Sequence, residues 1–328
     1  MSTGFHSELH RPPGFFMSNF REEACLPSLL QAQNADGGWG FHPSRESAVE
    51  PTCWVLLALG GEAERKTAEQ IKRGCDWLRS AQLSDGSWPA YPGQGEGCWL
   101  TSLACLALRE QDSFSEPVAR GVERFCADWP GEGGLGQRLR DRLMRGKDVV
   151  RQNSALRGWS WTRGTSSWVE PTSLGLLLLR NIFPEQMPSR VAKRRQLAEA
   201  MLFDRMCPSG GWNSGNSAVY GVAGEPLVGP TAWALLALHG RAERQELQSS
   251  LEWLEHAQES TRGASSISLA HLCLRAYGCE TPSPESLLRQ LYATNQFLQS
   301  IPSLCFAAMA LDSHMRWLPS GKNWGPGS

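Results

Sequence analysis

Pro51-Thr-Cys-Trp-Val-Leu-Leu-Ala-Leu59 occurs twice more in the chain with small changes, as Pro171-Thr-Ser-Leu-Gly-Leu-Leu-Leu-Leu179 and as Pro230-Thr-Ala-Trp-Ala-Leu-Leu-Ala-Leu238. Three looser segments follow the same plan at 98–108, 266–274 and 303–311. Ala and Leu favour the helix, and proline suits the first helical position. Because each segment is apolar almost all round, the repeat predicts six helices that are buried on every side.

Segments with a one-sided pattern alternate with these apolar helices, at 24–34, 66–82, 114–128, 188–206, 243–258 and 285–300. In the second of them Ile71, Cys75 and Leu78 recur at helical spacing between charged residues, which is typical of a helix half in water. Outer and inner helices therefore alternate six times. This order predicts an all-α fold without strands, an (α/α)6 barrel of six helical hairpins that close on themselves.

The alternation places one barrel at 24–313, after an N-terminal arm at 1–23 and before a C-terminal tail at 314–328. The gap between the second and third inner helices is longer than the others, which predicts a basic, Trp/Gly-rich insertion at about 131–168. Its basic residues are Arg138, Arg140, Arg142, Arg145, Lys147, Arg151 and Arg157. Their charge has three open interpretations: binding of an isoprenoid diphosphate, contact with an acidic membrane surface, and plain solvation.

The composition excludes some classes of protein. The chain has 328 residues and a formal net charge of −1, so nothing in its charge favours a nucleic-acid partner. No apolar run approaches the roughly 20 residues of a membrane-spanning helix, and the start lacks the pattern of a secretory signal. Ten cysteines without a Cys-x-x-Cys pair indicate reduced thiols and a cytoplasmic protein. Phe15, Phe16, Met17 and Phe20 leave peripheral membrane contact open, beside a latch onto the barrel.

Two outer helices end in a specific motif, Gln33-Asn-Ala-Asp-Gly37-Gly-Trp39 and Gln82-Leu-Ser-Asp-Gly86-Ser-Trp88, which both read Gln-x3-Gly-x-Trp. A third copy ends at Trp212 and has Met206 in place of Gln. The motif resembles the QW motif of squalene and oxidosqualene cyclases, whose relatives include protein prenyltransferase β subunits. The resemblance covers roughly 24–311 and implies the α/α barrel of that superfamily. In the family the motif stabilises the fold, which implies a structural role for its Gln and Trp residues here.

The resemblance also implies candidate general acids. Proton-initiated terpene cyclases open an inner helix with Asp-x-Asp-Asp-Thr-Ala, and the middle Asp protonates an alkene or epoxide. This chain lacks that motif, but Glu170 and Glu50 take the place of the middle Asp ahead of Thr172 and Thr52. Burial favours a protonated carboxyl, so the resemblance implies both as candidate acids. Glu170 is the first candidate because tryptophans flank it, and Glu50 is the second. A favourable contact with the helix dipole is the alternative for both.

Aromatic residues accompany the first of these candidates, since Trp159, Trp161 and Trp168 precede Glu170 closely. Aromatic ring faces stabilise cations. The three tryptophans are therefore predicted to bind substrate, together with Tyr220 in the loop before the fourth inner helix. Packing within a turn is the alternative for the tryptophans.

Two classes of function stay open. The first is an isomerase (cyclase) or lyase that cyclises an isoprenoid by protonation, the class II type, without metal or cofactor. The second is a non-catalytic barrel that binds an isoprenoid, lipid or peptide, or scaffolds a partner. Zinc-dependent prenyl transfer is disfavoured, because Gly229 and Thr231 replace the family's Asp-x-Cys zinc ligands. Full-size triterpene cyclases have two barrel domains, so a squalene-sized reaction is expected to need a partner that supplies the second domain.

Overall fold

The computed structural model describes residues 19–60, 65–111, 115–132, 134, 152–184, 186–240, 243–314 and 318. The interpretations of Phe15, Phe16 and Met17 lie outside the described residues. So does the predicted C-terminal tail, apart from His314 and Leu318. Of the basic residues in the predicted insertion, Arg157 lies within the described residues and the other six lie outside them.

Twelve α-helices lie in the described part of the chain, six of them inner and six outer. The inner helices are α2 (Val49–Ala58), α4 (Leu100–Gln111), α6 (Val169–Ile182), α8 (Val228–Leu238), α10 (Ala264–Ala276) and α12 (Ile301–Leu311). The outer helices are α1 (Leu26–Gln31), α3 (Arg65–Ser80), α5 (Glu116–Ala127), α7 (Ser189–Asp204), α9 (Arg244–Ser260) and α11 (Glu285–Ala293). A π-helical turn, Arg21–Cys25, leads into α1.

The inner helices form a closed ring. Each one packs against the next in chain order, and α12 packs against α2. Backbone hydrogen bonds at the rim follow the same order: the Val169 N–H donates to the Ser214 carbonyl in the loop before α8, at 2.9 Å. The Ile301 N–H donates to the Phe41 carbonyl in the loop before α2, at 3.0 Å, which joins the last hairpin to the first. The predicted all-α barrel is therefore confirmed.

In several hairpins, a buried tryptophan stabilises the turn that joins the outer helix to the next inner helix. The indole N–H of Trp39, which is fully buried, donates to the Leu29 carbonyl of α1 at 2.8 Å. The backbone N–H of Trp39 donates to the Thr52 hydroxyl of α2 at 2.9 Å. The Gln33 amide donates to the Gly37 carbonyl and to a carbonyl of α3, both at 2.8 Å. The motif thus satisfies backbone groups that helix ends leave open.

The same arrangement occurs in four turns of the barrel. The backbone N–H groups of Trp88 and Trp212 donate to the hydroxyls of Thr101 and Thr231, at 3.1 and 2.9 Å. Their indole N–H groups donate to carbonyls of the preceding outer helices, at 2.7 and 2.6 Å. Trp159 makes the equivalent bonds to the Phe125 carbonyl at 3.1 Å and to the Thr172 hydroxyl at 2.9 Å. The last part of the predicted insertion is therefore a turn of the barrel.

The structure differs from the sequence-based prediction in three elements. A two-stranded antiparallel hairpin, β1 (Ala218–Val219) and β2 (Val222–Ala223), lies before α8, where the sequence predicts no strand. Its turn residues, Tyr220 and Gly221, have positive φ angles of 51° and 76°, which suit a tight hairpin. The last outer helix ends at Ala293 rather than at residue 300, because Asn295 adopts a left-handed φ of 56°. The first outer segment begins at Arg21 rather than at residue 24.

Phe20 fastens the beginning of the described chain to the barrel. Its side chain is 1% exposed, and its ring packs edge-on against Tyr292 and Phe297, with centroid distances of 5.5 and 6.3 Å. Of the two interpretations of the N-terminal aromatic residues, the latch therefore holds for Phe20. No helix within the described ranges combines the length and the apolar character needed to span a bilayer. All ten cysteines are free thiols.

Candidate functional site at the mouth of the barrel

The repeated threonine sets the register of four inner helices. Thr52, Thr101, Thr172 and Thr231 each accept the same bond from a turn tryptophan. The positions two residues earlier are therefore equivalent around the ring, and they are Glu50, Trp99, Glu170 and Gly229. These four residues lie at the end of the barrel where the inner helices begin, the mouth. The two acids predicted from the sequence are thus at the same level of one barrel end.

Aromatic rings occupy the barrel axis one helical turn below the mouth. Trp54 of α2 and Trp233 of α8 stack, with centroids 5.5 Å apart and planes inclined by 25°. Because α2 and α8 are not neighbours in the ring, this contact crosses the axis. Phe306 of α12 packs edge-on against both, at 5.0 and 6.2 Å. These three rings, Trp54, Trp233 and Phe306, form an aromatic floor beneath the mouth.

Glu50 stands directly above this floor. Residues four apart share one face of a helix, so Glu50 faces the axis as Trp54 does. The Trp54 indole N–H donates to the Glu50 carboxyl at 3.4 Å. Burial raises the pKa of the Glu50 carboxyl above its ordinary value, and the bond from Trp54 opposes this only in part. Glu50 is therefore easier to protonate than a carboxyl in water, and it lies beside the N–H edge of the Trp54 indole.

Glu170 has a different environment at the same level. The Ser214 hydroxyl donates to Glu170 Oε1 at 2.9 Å. The second oxygen, Oε2, is buried and has no hydrogen-bond partner among the described residues. Burial raises the pKa of the Glu170 carboxyl as well, against the opposing effects of its own backbone N–H and of the bond from Ser214.

No positive charge balances either carboxyl. Neither Glu50 nor Glu170 forms an ion pair with any residue that the structure describes. The two carboxyls also have no acidic neighbour at the equivalent positions, because Trp99 precedes α4 and Gly229 lies in α8. Desolvation without a cation is the arrangement that raises a carboxyl pKa, and it is the one found here.

The predicted substrate-binding aromatics occupy four different settings. Trp159 is buried in the turn described above and stacks on Phe125 at 4.5 Å, so the turn accounts for its position. Trp161 is half-buried and packs edge-on against Trp99 of the mouth at 4.8 Å. Trp168 is the residue immediately before α6, and its backbone N–H donates to the Trp159 carbonyl at 2.9 Å. Tyr220 is 76% exposed at the tip of the β1–β2 hairpin.

Sequence reasoning missed the residues closest to the candidate acid. Trp54, Trp233 and Phe306 appeared only as parts of apolar helices, although Trp54 and Trp233 each follow the repeated threonine by two residues. Because both tryptophans have the same spacing from the threonine, the sequence indicates that they lie on the equivalent face of their helices. Trp99 could have been found by aligning Thr101 with Thr52. The contact between Trp54 and Trp233 requires the closed ring and has no local signal.

The described residues hold no group of three or more His, Cys, Asp or Glu side chains placed to bind a metal ion. His271 lies on α10, where the Thr281 hydroxyl is 3.1 Å from its Nδ1. Burial lowers the pKa of His271 to about 4, with a smaller contribution from the Arg275 charge. The imidazole is therefore neutral at physiological pH.

Two buried arginines contact residues near the two ends of the predicted insertion. Arg205, which is 1% exposed, lies 3.8 Å from the Glu132 carboxylate, and that carboxylate accepts the Ser167 backbone N–H at 3.1 Å. Arg194 lies between the rings of Trp129 and Trp159, at 3.9 and 4.3 Å from their centroids. Its guanidinium also donates to the carbonyl of Asp128, just before the insertion, and to that of Gly158, in its last part. Burial lowers the pKa of Arg194 to about 9, so it stays charged at neutral pH.

Comparison with known proteins gives short matches in sequence. No protein-family profile matches the chain. Drimenyl diphosphate synthase of Streptantibioticus cattleyicolor is 38% identical over 66 residues, which is 20% of this chain and 12% of that enzyme. Human lanosterol synthase is 34% identical over 71 residues, 19% of this chain and 10% of that enzyme. The chain thus matches less than a fifth of the length of these curated relatives.

Solved structures match over nearly the whole chain. The type II terpene cyclase MstE from Scytonema, in complex with its product merosterolic acid A, superposes with a TM-score of 0.57 at 13% identity. The match covers 91% of this chain and 97% of that one. An α-1,6-mannanase of Salegentibacter matches with a TM-score of 0.55 at 10% identity, over 89% and 98% of the two chains. At these identities the likeness concerns the fold.

The barrel, the repeated turns and the sequence matches agree on one class. They show a likeness to proteins of the squalene-cyclase-like superfamily, over the whole fold and over short stretches of sequence. The mannanase shows that a similar fold also supports unrelated chemistry, so the reaction has to be argued from the site.

Proposed function

We propose that this protein is a proton-initiated terpenoid cyclase in which Glu50 is the general acid. The observation that carries the proposal is a half-buried carboxyl at the mouth, without a basic partner among the described residues, one turn above the stacked rings of Trp54 and Trp233. The sequence favours Glu170 as the first candidate. The order is reversed here because Glu50 stands over the aromatic floor, whereas Trp159, counted in favour of Glu170, belongs to a turn.

The proposed reaction begins with proton transfer from the Glu50 carboxyl to an alkene carbon of an isoprenoid. The alkene π electrons form the new C–H bond and leave a tertiary carbocation. A neighbouring double bond attacks this cation and closes a ring, and loss of a proton from carbon ends the reaction. The aromatic floor stabilises the positive charge through its ring faces. The carboxylate left on Glu50 regains a proton before the next cycle.

The substrate class follows from the same geometry. The three rings of the floor are uncharged and apolar, so they suit contact with a hydrocarbon chain. A further structure of MstE contains geranylgeranyl dihydroxybenzoate as substrate, at 14% identity and a TM-score of 0.55. We therefore propose an isoprenoid with a trisubstituted terminal alkene as the substrate. The proposal includes peripheral contact with a membrane surface. For a squalene-sized substrate it also includes a partner that supplies a second domain.

The test is product formation from four candidate substrates: squalene, farnesyl diphosphate, geranylgeranyl diphosphate and geranylgeranyl dihydroxybenzoate. Glu50→Gln keeps the shape of the side chain but cannot donate a carboxylic proton. We expect it to lower the cyclisation rate by about 10²- to 10⁴-fold, the usual contribution of a general acid. Glu170→Gln is the matched control, since Glu170 occupies the equivalent position on α6. Product that both variants form at the wild-type rate would remove both carboxyls from the mechanism.

A non-catalytic barrel that binds the same isoprenoids is the second candidate. It is favoured by the position of Glu50 and Glu170 in the first turns of their helices, where a carboxylate interacts well with the helix dipole without any chemistry. The two candidates differ in one outcome. A non-catalytic barrel retains the isoprenoid unchanged after long incubation, and its affinity is insensitive to Glu50→Gln.

A further inference from the structure

Gly229 is an unusual residue for its position. It lies in the first turn of α8, although glycine is a poor helix former. Its φ is not among the positive values that require glycine. A Cβ atom placed on Gly229 would find no heavy atom of its surroundings within 4 Å. At Gly175, in contrast, a Cβ would lie 2.5 Å from the Phe125 ring. Neither backbone conformation nor packing therefore explains Gly229.

Helical spacing places the open space beside Gly229 on the side of α8 that faces the barrel axis. Trp233, four residues further along α8, stacks on Trp54 across the axis. Residues four apart lie on the same helix face, so Gly229 stands above Trp233 as Glu50 stands above Trp54. Glu50 and Gly229 are thus on opposite sides of the mouth, with the aromatic floor below both. A side chain at position 229 would extend into the space between them.

We infer that Gly229 is a specificity-determining residue, because its missing side chain leaves the seat in which the alkene end of an isoprenoid lies between Glu50 and the aromatic floor. The inference rests on the proposed function, since it takes Glu50 as the group that faces the substrate. The seat has a carboxyl on one side and ring faces below, which suits a branched apolar group that becomes positively charged. Larger side chains at position 229 fill the seat in proportion to their size.

The experiment measures binding rather than turnover. The probe is dodecyltrimethylammonium, a permanent cation on an apolar chain, and its dissociation constant is measured by calorimetry for wild type and for Gly229→Ala, Gly229→Val and Gly229→Leu. Gly95→Leu is the matched control, because Gly95 also has no atom within 4 Å of a Cβ but lies in an exposed loop. Melting temperatures of all variants report on folding.

We expect affinity to fall stepwise with side-chain size, by about tenfold or more for Gly229→Leu, which corresponds to about 1.4 kcal/mol. Gly95→Leu should bind like wild type, and Gly229→Ala should melt no lower than wild type because alanine favours the helix. The inference is overturned if wild type does not bind the probe, or if a folded valine or leucine variant binds it equally well. Failure of the cyclase proposal alone would look different: the affinity for the probe would still fall stepwise across the Gly229 variants, but wild type would form no product.

Discussion

The threonine that sets the register of the mouth offers a sharp test of the structure. Thr52 is fully buried, and its hydroxyl accepts the Trp39 backbone N–H at 2.9 Å. Thr52→Val replaces this hydroxyl by a methyl group of similar size, so no large cavity forms. The Trp39 N–H loses its acceptor inside the protein, whereas the Trp39 carbonyl keeps the N–H of Ala48 at 2.9 Å. One buried donor is therefore left unpaired.

The expected cost is that of one orphaned buried N–H, about 1–3 kcal/mol in the free energy of unfolding. Urea unfolding measures it as a lower midpoint at an unchanged slope. Thr52→Ser retains the hydroxyl and should lose only about 1 kcal/mol for the missing methyl. Thr165→Val is the control, because Thr165 is exposed and should change stability by less than about 0.5 kcal/mol. The reasoning is refuted if Thr52→Val destabilises the protein no more than Thr165→Val.

Three further predictions concern other parts of the barrel. Arg194→Lys should lower the free energy of unfolding by about 2–4 kcal/mol, because lysine cannot reproduce both the stacking and the bonds to carbonyls; a urea titration equal to wild type would contradict this. Gly175→Ala should cost about 1–3 kcal/mol in the same assay, because its Cβ would press on the Phe125 ring, and a neutral result would contradict that contact. The cyclisation rate should fall as pH rises through the raised pKa of Glu50, since the acid acts in its protonated form; a rate that increases over that range would exclude this role.

Local sequence signals were sufficient for the barrel and for three of its turns. In each turn that the sequence identifies, the tryptophan bonds to a carbonyl ten residues earlier, as Trp39 does to Leu29, so motif and partner are read in one window. Trp159 bonds to Phe125 instead, 34 residues earlier, because the insertion lies between them. This separation hides the fourth turn from any local pattern, and it left Trp159 among the substrate-binding candidates.

The candidate site was only partly predictable for a related reason. Glu50 and Glu170 follow from the helix starts, because each precedes a repeated proline and threonine. The aromatic floor joins Trp54 to Trp233 across a closed ring, and no periodicity within one helix predicts a contact between such distant residues. Ser214 meets Glu170 through the loop of the next hairpin, which is again a tertiary contact. The two candidate acids are therefore predictable from the sequence, whereas the residues around them become neighbours only when the ring of helices closes.

The central claim, that a carboxyl of this barrel starts a cyclisation by protonating carbon, is tested most directly by the isotope content of the product. The reaction is run in D2O with the substrate that gives product, and the product is analysed by mass spectrometry. Proton-initiated cyclisation adds one solvent-derived deuterium to carbon and loses one hydrogen of the substrate, so the product should be one mass unit heavier than in H2O. Glu50→Gln should abolish this labelled product. A cyclic product without solvent deuterium, or one that Glu50→Gln forms at the wild-type rate, would contradict the account.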